Sequence, residues 1–176
     1  MIIPVVVPVK AHVQKFIINR YGDGKSHAMP VRKLTFLGDM LSLALVKHTF
    51  MQTNFSPPAG CFLIFYVSSE TKFMEVPSEK MKLLQAAFER NFRDCLISFV
   101  TGYHYGTGNQ MQAVKKFLES HQISEDEMSS DTAWKIWRDF EVKMERIRTN
   151  NFRKVVGAIP KHVGKIENSS VVFGMS

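Results

Sequence analysis

Residues 109–154 decide how this chain is read: NQMQAVKKFLESHQ (109–122), ISEDEMSS (123–130), then DTAWKIWRDFEVKMERIRTNNFRK (131–154). Met111, Val114, Phe117 and Leu118 recur at helical spacing after Asn109, whose side chain can cap a helix. Ser124 and Glu127 stand three apart, the spacing of a capping box, and mark a single acidic turn. Ser130 or Asp131 then opens a long helix with Ala133, Ile136, Trp137, Phe140, Met144 and Ile147 on one stripe. The result is a helix pair with positive charge gathered where the second helix ends. DNA-binding modules use this arrangement, and so does ordinary helical packing.

Charge weighs on that choice. Lys135, Arg138, Lys143, Arg146 and Arg148 occupy the last helix, and Arg153 and Lys154 follow. Lys135, Arg138 and Arg146 fall off the apolar stripe and are expected to face solvent. There Arg can contact phosphates and read guanine edges through paired hydrogen bonds. Asp139, Glu141 and Glu145 lie within helical reach of these cations and can neutralise them. Residues 111–148 hold seven Lys/Arg against eight Asp/Glu, a net −1. Glu125, Asp126, Glu127 and Asp131 flank the first turn of the last helix, where a standard helix-turn-helix meets the bases. DNA contact is therefore expected from the middle and the basic end of this helix, at Arg138, Arg146, Arg148, Arg153 and Lys154.

Upstream, residues 3–9 read as an extended segment whose Pro4 and Pro8 confine it to a sheet edge. Val9, Val13, Phe16, Ile17 and Tyr21 form a helical stripe that stops at Gly22. Residues 22–30 read as a loop. Residues 33–51 read as an apolar helix. CFLIFYV (61–67) suits a short buried strand, and KFMEV (72–76) its hairpin partner. Pro77 and Ser78 open a long helix through Met81, Leu84, Phe88, Phe92, Leu96 and Phe99, with Gly102 as its expected stop. GYHYGTGN (102–109) reads as a glycine-rich connector. It lacks the G-K-[ST] of a phosphate-binding loop, although Tyr103 and Tyr105 could stack on bases if exposed. The tail after residue 154 has little period.

The whole chain carries a formal charge of +7, with the excess at its two ends. Residues 1–60 hold seven Lys/Arg against two Asp/Glu, so Lys10, Lys15, Arg20, Lys25, Arg32 and Lys33 read as a second phosphate-tracking cluster. Their bland alternative is a solvated face. Fourteen Phe and ten Met provide a large, adaptable apolar content. Cys61 and Cys95 sit in apolar runs and read as reduced, buried thiols. No Cys/His cluster suggests a metal, and the six histidines are scattered. No serine elbow or H-E-x-x-H is present, so the chain is expected to be no enzyme and to need no cofactor. The proline-broken start is not a signal peptide, and no apolar run spans a bilayer, so a cytoplasmic protein is expected.

The segments A-V-K-K-F-L-E (113–119) and I-S-E-D-E-M-S (123–129), with P-V-K-A-H-V-Q-K-F-I (8–17) and R-Y-G (20–22), resemble small proteins carried by Bacteroidetes phages and conjugative elements. The resemblance implies a mobile-element protein without an evident active site. Those proteins commonly have Tyr/Arg-rich final helices, where this chain has Trp134, Trp137 and mixed charge.

These readings converge on a mostly helical α+β domain over residues 1–154, with a small antiparallel hairpin, a helix-turn-helix-like pair at 109–154, and a tail or arm at 155–176. The expected function is non-enzymatic DNA binding, with a regulatory role. The alternative is an interaction module that engages a host protein or a second copy through an apolar surface.

Overall fold

The computed structural model describes residues 2–32, 34–47, 59–68 and 74–157, without the side chains of Thr107 and of Phe152 onward. The protein is mostly helical and of the α+β class. Two compact units partition the chain, Met1–Arg138 and Asp139–Ser176.

The first unit is built on a three-stranded sheet in the order β1-β4-β2, from β1 (Ile2–Pro8), β2 (Ala28–Val31) and β4 (Phe62–Ser68). β1 runs antiparallel to β4, with Val5 opposite Phe65 and Val7 opposite Leu63. β2 runs parallel to β4, with Met29 opposite Phe65. Alternation puts Ile3, Val5, Val7, Met29, Leu63, Phe65 and Val67 on the buried face. The register also explains the prolines. Val9 donates its N–H to the Cys61 carbonyl, so odd-numbered residues of β1 face β4 and the N–H positions of Pro4 and Pro8 point outward. Ile64 donates to the His27 carbonyl, which likewise places Pro30 of β2 on the outer side. No proline removes a ladder bond, and both edges lose donors that another strand could use.

β2 lies in the stretch whose composition reads as a loop. Its formation follows from the buried thioether of Met29 and the open flank of β4, not from local propensity. The helix expected over 33–51 is confined to α2 (Phe36–Ala44). Thr35 caps it by accepting from the Gly38 N–H at 3.1 Å. It ends because Val46 and Lys47 form β3, antiparallel to β5 (Met74–Glu75). The small antiparallel pair is thus β3–β5, while the 61–67 strand pairs with β1 and β2 instead of with 72–76. Residues 48–51 and 72–73 lie outside the described residues.

Helices cover the inner face of the sheet. α1 (Ala11–Tyr21) buries His12, Val13, Phe16, Ile17 and Ile18. α3 (Ser78–Thr107) buries Leu84, Phe88, Phe92, Leu96 and Val100, one residue per turn. It does not stop at Gly102. Gly102 and Gly106 stand inside it, and termination waits for Gly108 in the left-handed region, φ 73°, where a side chain would be strained. α4 (Gln110–Ser120) is capped as its sequence predicts, with the Asn109 side chain accepting from the Gln112 N–H at 2.9 Å. Its Ala113, Val114, Phe117 and Leu118 are buried. Phe16, Phe92 and Phe117 meet at ring-centre distances of 5.4 to 6.2 Å and join α1, α3 and α4. Each such pair adds about 0.5–1.5 kcal/mol to the area it buries.

The final helix α5 (Ser130–Gly157) belongs in part to each unit. Its cap is Ser129, one residue before the expected pair, whose hydroxyl accepts from the Thr132 N–H at 3.2 Å. Within the first unit, Ala133 and Trp137 of α5 are buried. In the second unit the stripe is solvent-facing: Phe140 is 36% and Ile147 41% exposed. Val155–Gly157, expected to belong to a tail, continue α5, and residues 158–176 lie outside the described residues.

Candidate nucleic-acid interface

The connection between α4 and α5 explains its own acidity. The Ser124 N–H donates to Glu127 Oε2 at 2.9 Å, closing the capping box that the spacing predicts. Glu127 also pairs with Lys15 at 2.9 Å. The Lys15 ammonium and the Ser124 bonds hold the Glu127 carboxyl below its ordinary range against the opposing effect of burial. Glu125 accepts from both the Ser130 N–H and the Ser130 hydroxyl, at 2.8 and 3.1 Å. Two of the four acids expected to repel phosphate are therefore occupied in building the turn. Residues 121–129 separate the helices, longer than the three or four residues of a helix-turn-helix turn.

The N-terminal cations are not one surface. Lys15 and Arg20 are five apart on α1, which separates them by about 140° around its axis, and Lys10 stands outside the helix at its extended N-cap. Lys10 lies 2.7 Å from Glu89 Oε1, and Lys15 is committed to Glu127. The Arg20 guanidinium lies over the Phe16 and Tyr21 rings, at 5.9 and 5.7 Å. Arg32 is exposed, and its carbonyl accepts from the Thr35 hydroxyl at 2.8 Å. Lys33 lies outside the described residues. The sequence argument from scarce nearby acids missed Glu89 and Glu127, which are remote in the chain and adjacent in the fold.

The α5 cations differ. Arg146 and Arg148, with Lys143, are exposed and make no ion pair with any described residue, so the neutralisation offered by Glu141 and Glu145 is not realised. No acid follows Glu145 in the helix, which continues through Arg153 and Lys154. Arg138, in the first unit, stacks its guanidinium over the Trp134 indole at 5.0 Å. A related pair sits nearby in sequence, with Lys116 over the Tyr103 ring at 5.2 Å. Tyr105, on the last turn of α3, is 82% exposed. Tyr103 and Tyr105 fall in the 102–109 stretch expected to be a connector, which is instead the last turns of α3.

A second polar cluster joins α1 to α3. His12 is buried, its Nε2 has no hydrogen-bond partner, and it stands 3.7 Å from Glu89 Oε1. Burial lowers its pKa, with the Glu89 carboxylate pulling the other way. Lys10 and Glu89 also border a recess of about 470 Å3 whose other walls include Pro8, Val13, Cys61 and Gln85. Among the described residues no group of His, Cys, Asp and Glu could hold a metal ion. No helix among them is long and apolar enough to cross a membrane. No known family model, no curated protein and no solved structure matches this chain.

Proposed function

We propose that the protein binds DNA without catalysing a reaction, and that the basic end of α5 is its main phosphate-contacting element. The observation that carries this reading is the exposure of Arg146 and Arg148 with no acidic partner among the described residues, in a helix whose sequence stays basic through Lys154. Cations held by carboxylates contribute little to a polyanion, whereas unpaired ones release counterions when they meet phosphate. The net charge of +7 favours encounter. The resemblance of residues 8–22 and 113–129 to phage and conjugative-element proteins supports a mobile-element setting, and a regulatory role is proposed with it.

The test is binding to a duplex across a salt series. Affinity should fall linearly on logarithmic axes, and the Arg146→Ala/Arg148→Ala pair should lower both affinity and slope, the slope by about 2 for two lost contacts. Lys10→Ala should change little, because Lys10 already has Glu89. No affinity at low salt, or a double variant equal to the parent, ends this reading.

A second reading, an interaction module for a protein partner, draws on the outer face of the sheet. There Pro4, Tyr66 and Pro30 form one cross-strand row and Val6, Ile64 and Ala28 the next, with no charged residue among them. Light scattering separates the readings: self-association abolished by Tyr66→Lys, with no nucleic-acid affinity, would favour the second.

A further inference from the structure

Leu34, just before α2, combines two unfavourable properties at one position. Its backbone is in the left-handed region, φ 64°, and its side chain is 94% exposed. The first strains the chain, and the second leaves an apolar group in water. The hook that carries it is firmly held. The Thr35 hydroxyl donates to the Arg32 carbonyl at 2.8 Å and accepts from the Gly38 N–H, and Gly38 packs directly on that carbonyl. Strain of this kind persists where surrounding structure imposes it, and it gathers at binding sites. Beside the hook lies a recess of about 450 Å3. Tyr21, Ala28, Met29, Pro30, Val31 and Leu37 give it mostly apolar walls, and Arg32 and Thr35, on either side of Leu34 in the chain, line it as well. Leu34 does not, so a projecting side chain stands next to a hole it leaves unfilled. Phe36, partly exposed, stacks on Tyr21 at 6.2 Å and extends the apolar surface. All four residues of β2 line the recess, and Pro30 offers an incoming strand no N–H there, so the site suits a side chain and not a strand. Its two charged residues are opposite in sign. Asp23 Oδ1 accepts from the Lys25 and Ser26 N–H groups, which leaves Oδ2 without a partner among the described residues. Arg32 is exposed and makes no ion pair with any described residue.

We infer that a second copy of this chain occupies the recess: Leu34 of each copy enters the recess of the other, and Arg32 of each meets Asp23 of the other. A knob and a hole side by side on one surface are what a two-fold contact requires, because a single apposition then fills both holes and forms both charge pairs. A hook already fixed in its binding conformation loses little freedom on docking. The exposed arginine and the exposed carboxylate set the register and oppose apolar contact in other orientations. Every residue involved belongs to the first unit. The contact goes beyond the DNA reading, which it neither requires nor alters, since α5 takes no part in it.

The full-length protein, free of nucleic acid, is followed by sedimentation velocity over roughly 1–300 μM, the span of a weak to moderate complex. A concentration-dependent monomer–dimer equilibrium is expected. Leu34→Asn removes the apolar knob and tolerates the left-handed backbone, so it should weaken the dimer about tenfold or more, as for an anchor lost from its pocket, without lowering the melting temperature. Arg32→Glu should weaken it several-fold through repulsion from Asp23 of the second copy. Leu43→Asn, at a leucine 76% exposed on the last turn of α2 and outside the recess, should leave it unchanged. A parent that stays monomeric over the whole range overturns the inference, as does a Leu34→Asn variant that dimerises like the parent. Equal losses in Leu34→Asn and Leu43→Asn would show unspecific apolar association, and the inference fails. Dimerisation abolished by Tyr66→Lys and kept by Leu34→Asn would move the contact to the outer face of the sheet and end it too. Duplex binding through α5 stands or falls separately, on its own salt series.

Discussion

The indole N–H of Trp137 donates to the Thr101 hydroxyl at 3.2 Å, tying the start of α5 to α3 across a separation of thirty-six residues. The same indole meets the His104 ring edge-on at 6.0 Å. Trp137 is 3% exposed, so its bulk fills the core while its one polar atom is satisfied. Trp137→Phe should cost about 1–2 kcal/mol, the bond and part of the volume, and Trp137→Ala about 3–5 kcal/mol. Thr101→Val should cost about 1–3 kcal/mol by leaving the indole N–H unpaired in the core. In urea unfolding, the Trp137→Phe/Thr101→Val double variant should cost less than the two singles combined. Additive losses would show that the bond contributes nothing of its own.

Two glycines in helices should respond in opposite directions to the same methyl group. At Gly38 an added Cβ would fall inside contact distance of the Arg32 carbonyl oxygen, and Arg32 is fixed by its bond from Thr35. Gly38→Ala must therefore displace backbone and should lower stability by about 2 kcal/mol or more, the range of overpacked sites. At Gly102 the same Cβ would meet nothing. Gly102→Ala should raise stability by about 0.5–1 kcal/mol, the difference in helix propensity. Thermal melts of the two variants decide it, and equal shifts would contradict the geometry.

Much of this fold follows from local signals, and the failures share a cause. The α1 stripe, the Asn109 cap, the Ser124–Glu127 box and the edge position of a proline-bearing β1 all depend on residues within a few positions of one another. β2 was hidden because Ala28–Val31 becomes a strand only when β4 supplies its partner, some thirty-six residues away. Gly102 does not end α3, because a glycine weakens a helix by only about 1 kcal/mol and Tyr103 just after it stacks on Phe99 of the preceding turn. The candidate site divides along the same line. The exposure of Arg146 is legible from its position off the stripe, whereas the absence of an ion pair to Glu141 or Glu145 is not, since helical spacing allows one. The neutralisation of Lys10 by Glu89 and of Lys15 by Glu127 needed the tertiary fold.

Gln122 closes α4 in a conformation that suits glycine better. Its φ is 56°, and the turn carries the paired bonds of a Schellman motif: Ile123 N–H to the Leu118 carbonyl at 2.9 Å and Gln122 N–H to the Glu119 carbonyl at 3.0 Å. The His121 carbonyl accepts from the Asn19 amide at 2.9 Å, which fixes the turn against α1. Gln122→Gly should relieve about 1 kcal/mol of left-handed strain, less the entropy that glycine returns to the unfolded chain, and raise the melting temperature by a few degrees. Gln122→Val should lower it by more, since a branched side chain tolerates that region least. A lower melting temperature for the glycine variant would overturn the assignment.

Stability should fall in mild acid, and His12 and His121 set the window. Burial lowers both imidazoles below their ordinary value near 6.5, with the Glu89 carboxylate partly offsetting this at His12 and the Phe117 carbonyl doing so at His121. Below that ordinary value the unfolded chain binds protons that the folded protein does not. Stability therefore rises with pH across the interval between the lowered folded values and about 6.5, and is lost on going down through it. Glu127 acts further down the scale: its carboxyl is held low by burial-opposed contacts with Lys15 and Ser124, and its contribution disappears as it becomes protonated. Urea unfolding at a series of pH values should show a first decline beginning near pH 6.5 and a second at carboxylate pH. His12→Phe, which keeps the aromatic contact with Phe92 at 5.0 Å in the parent, should flatten the first decline. Glu127→Gln should reduce the second and leave the first in place. A parent protein equally stable at pH 7 and pH 5 would mean that neither imidazole is held neutral by the fold.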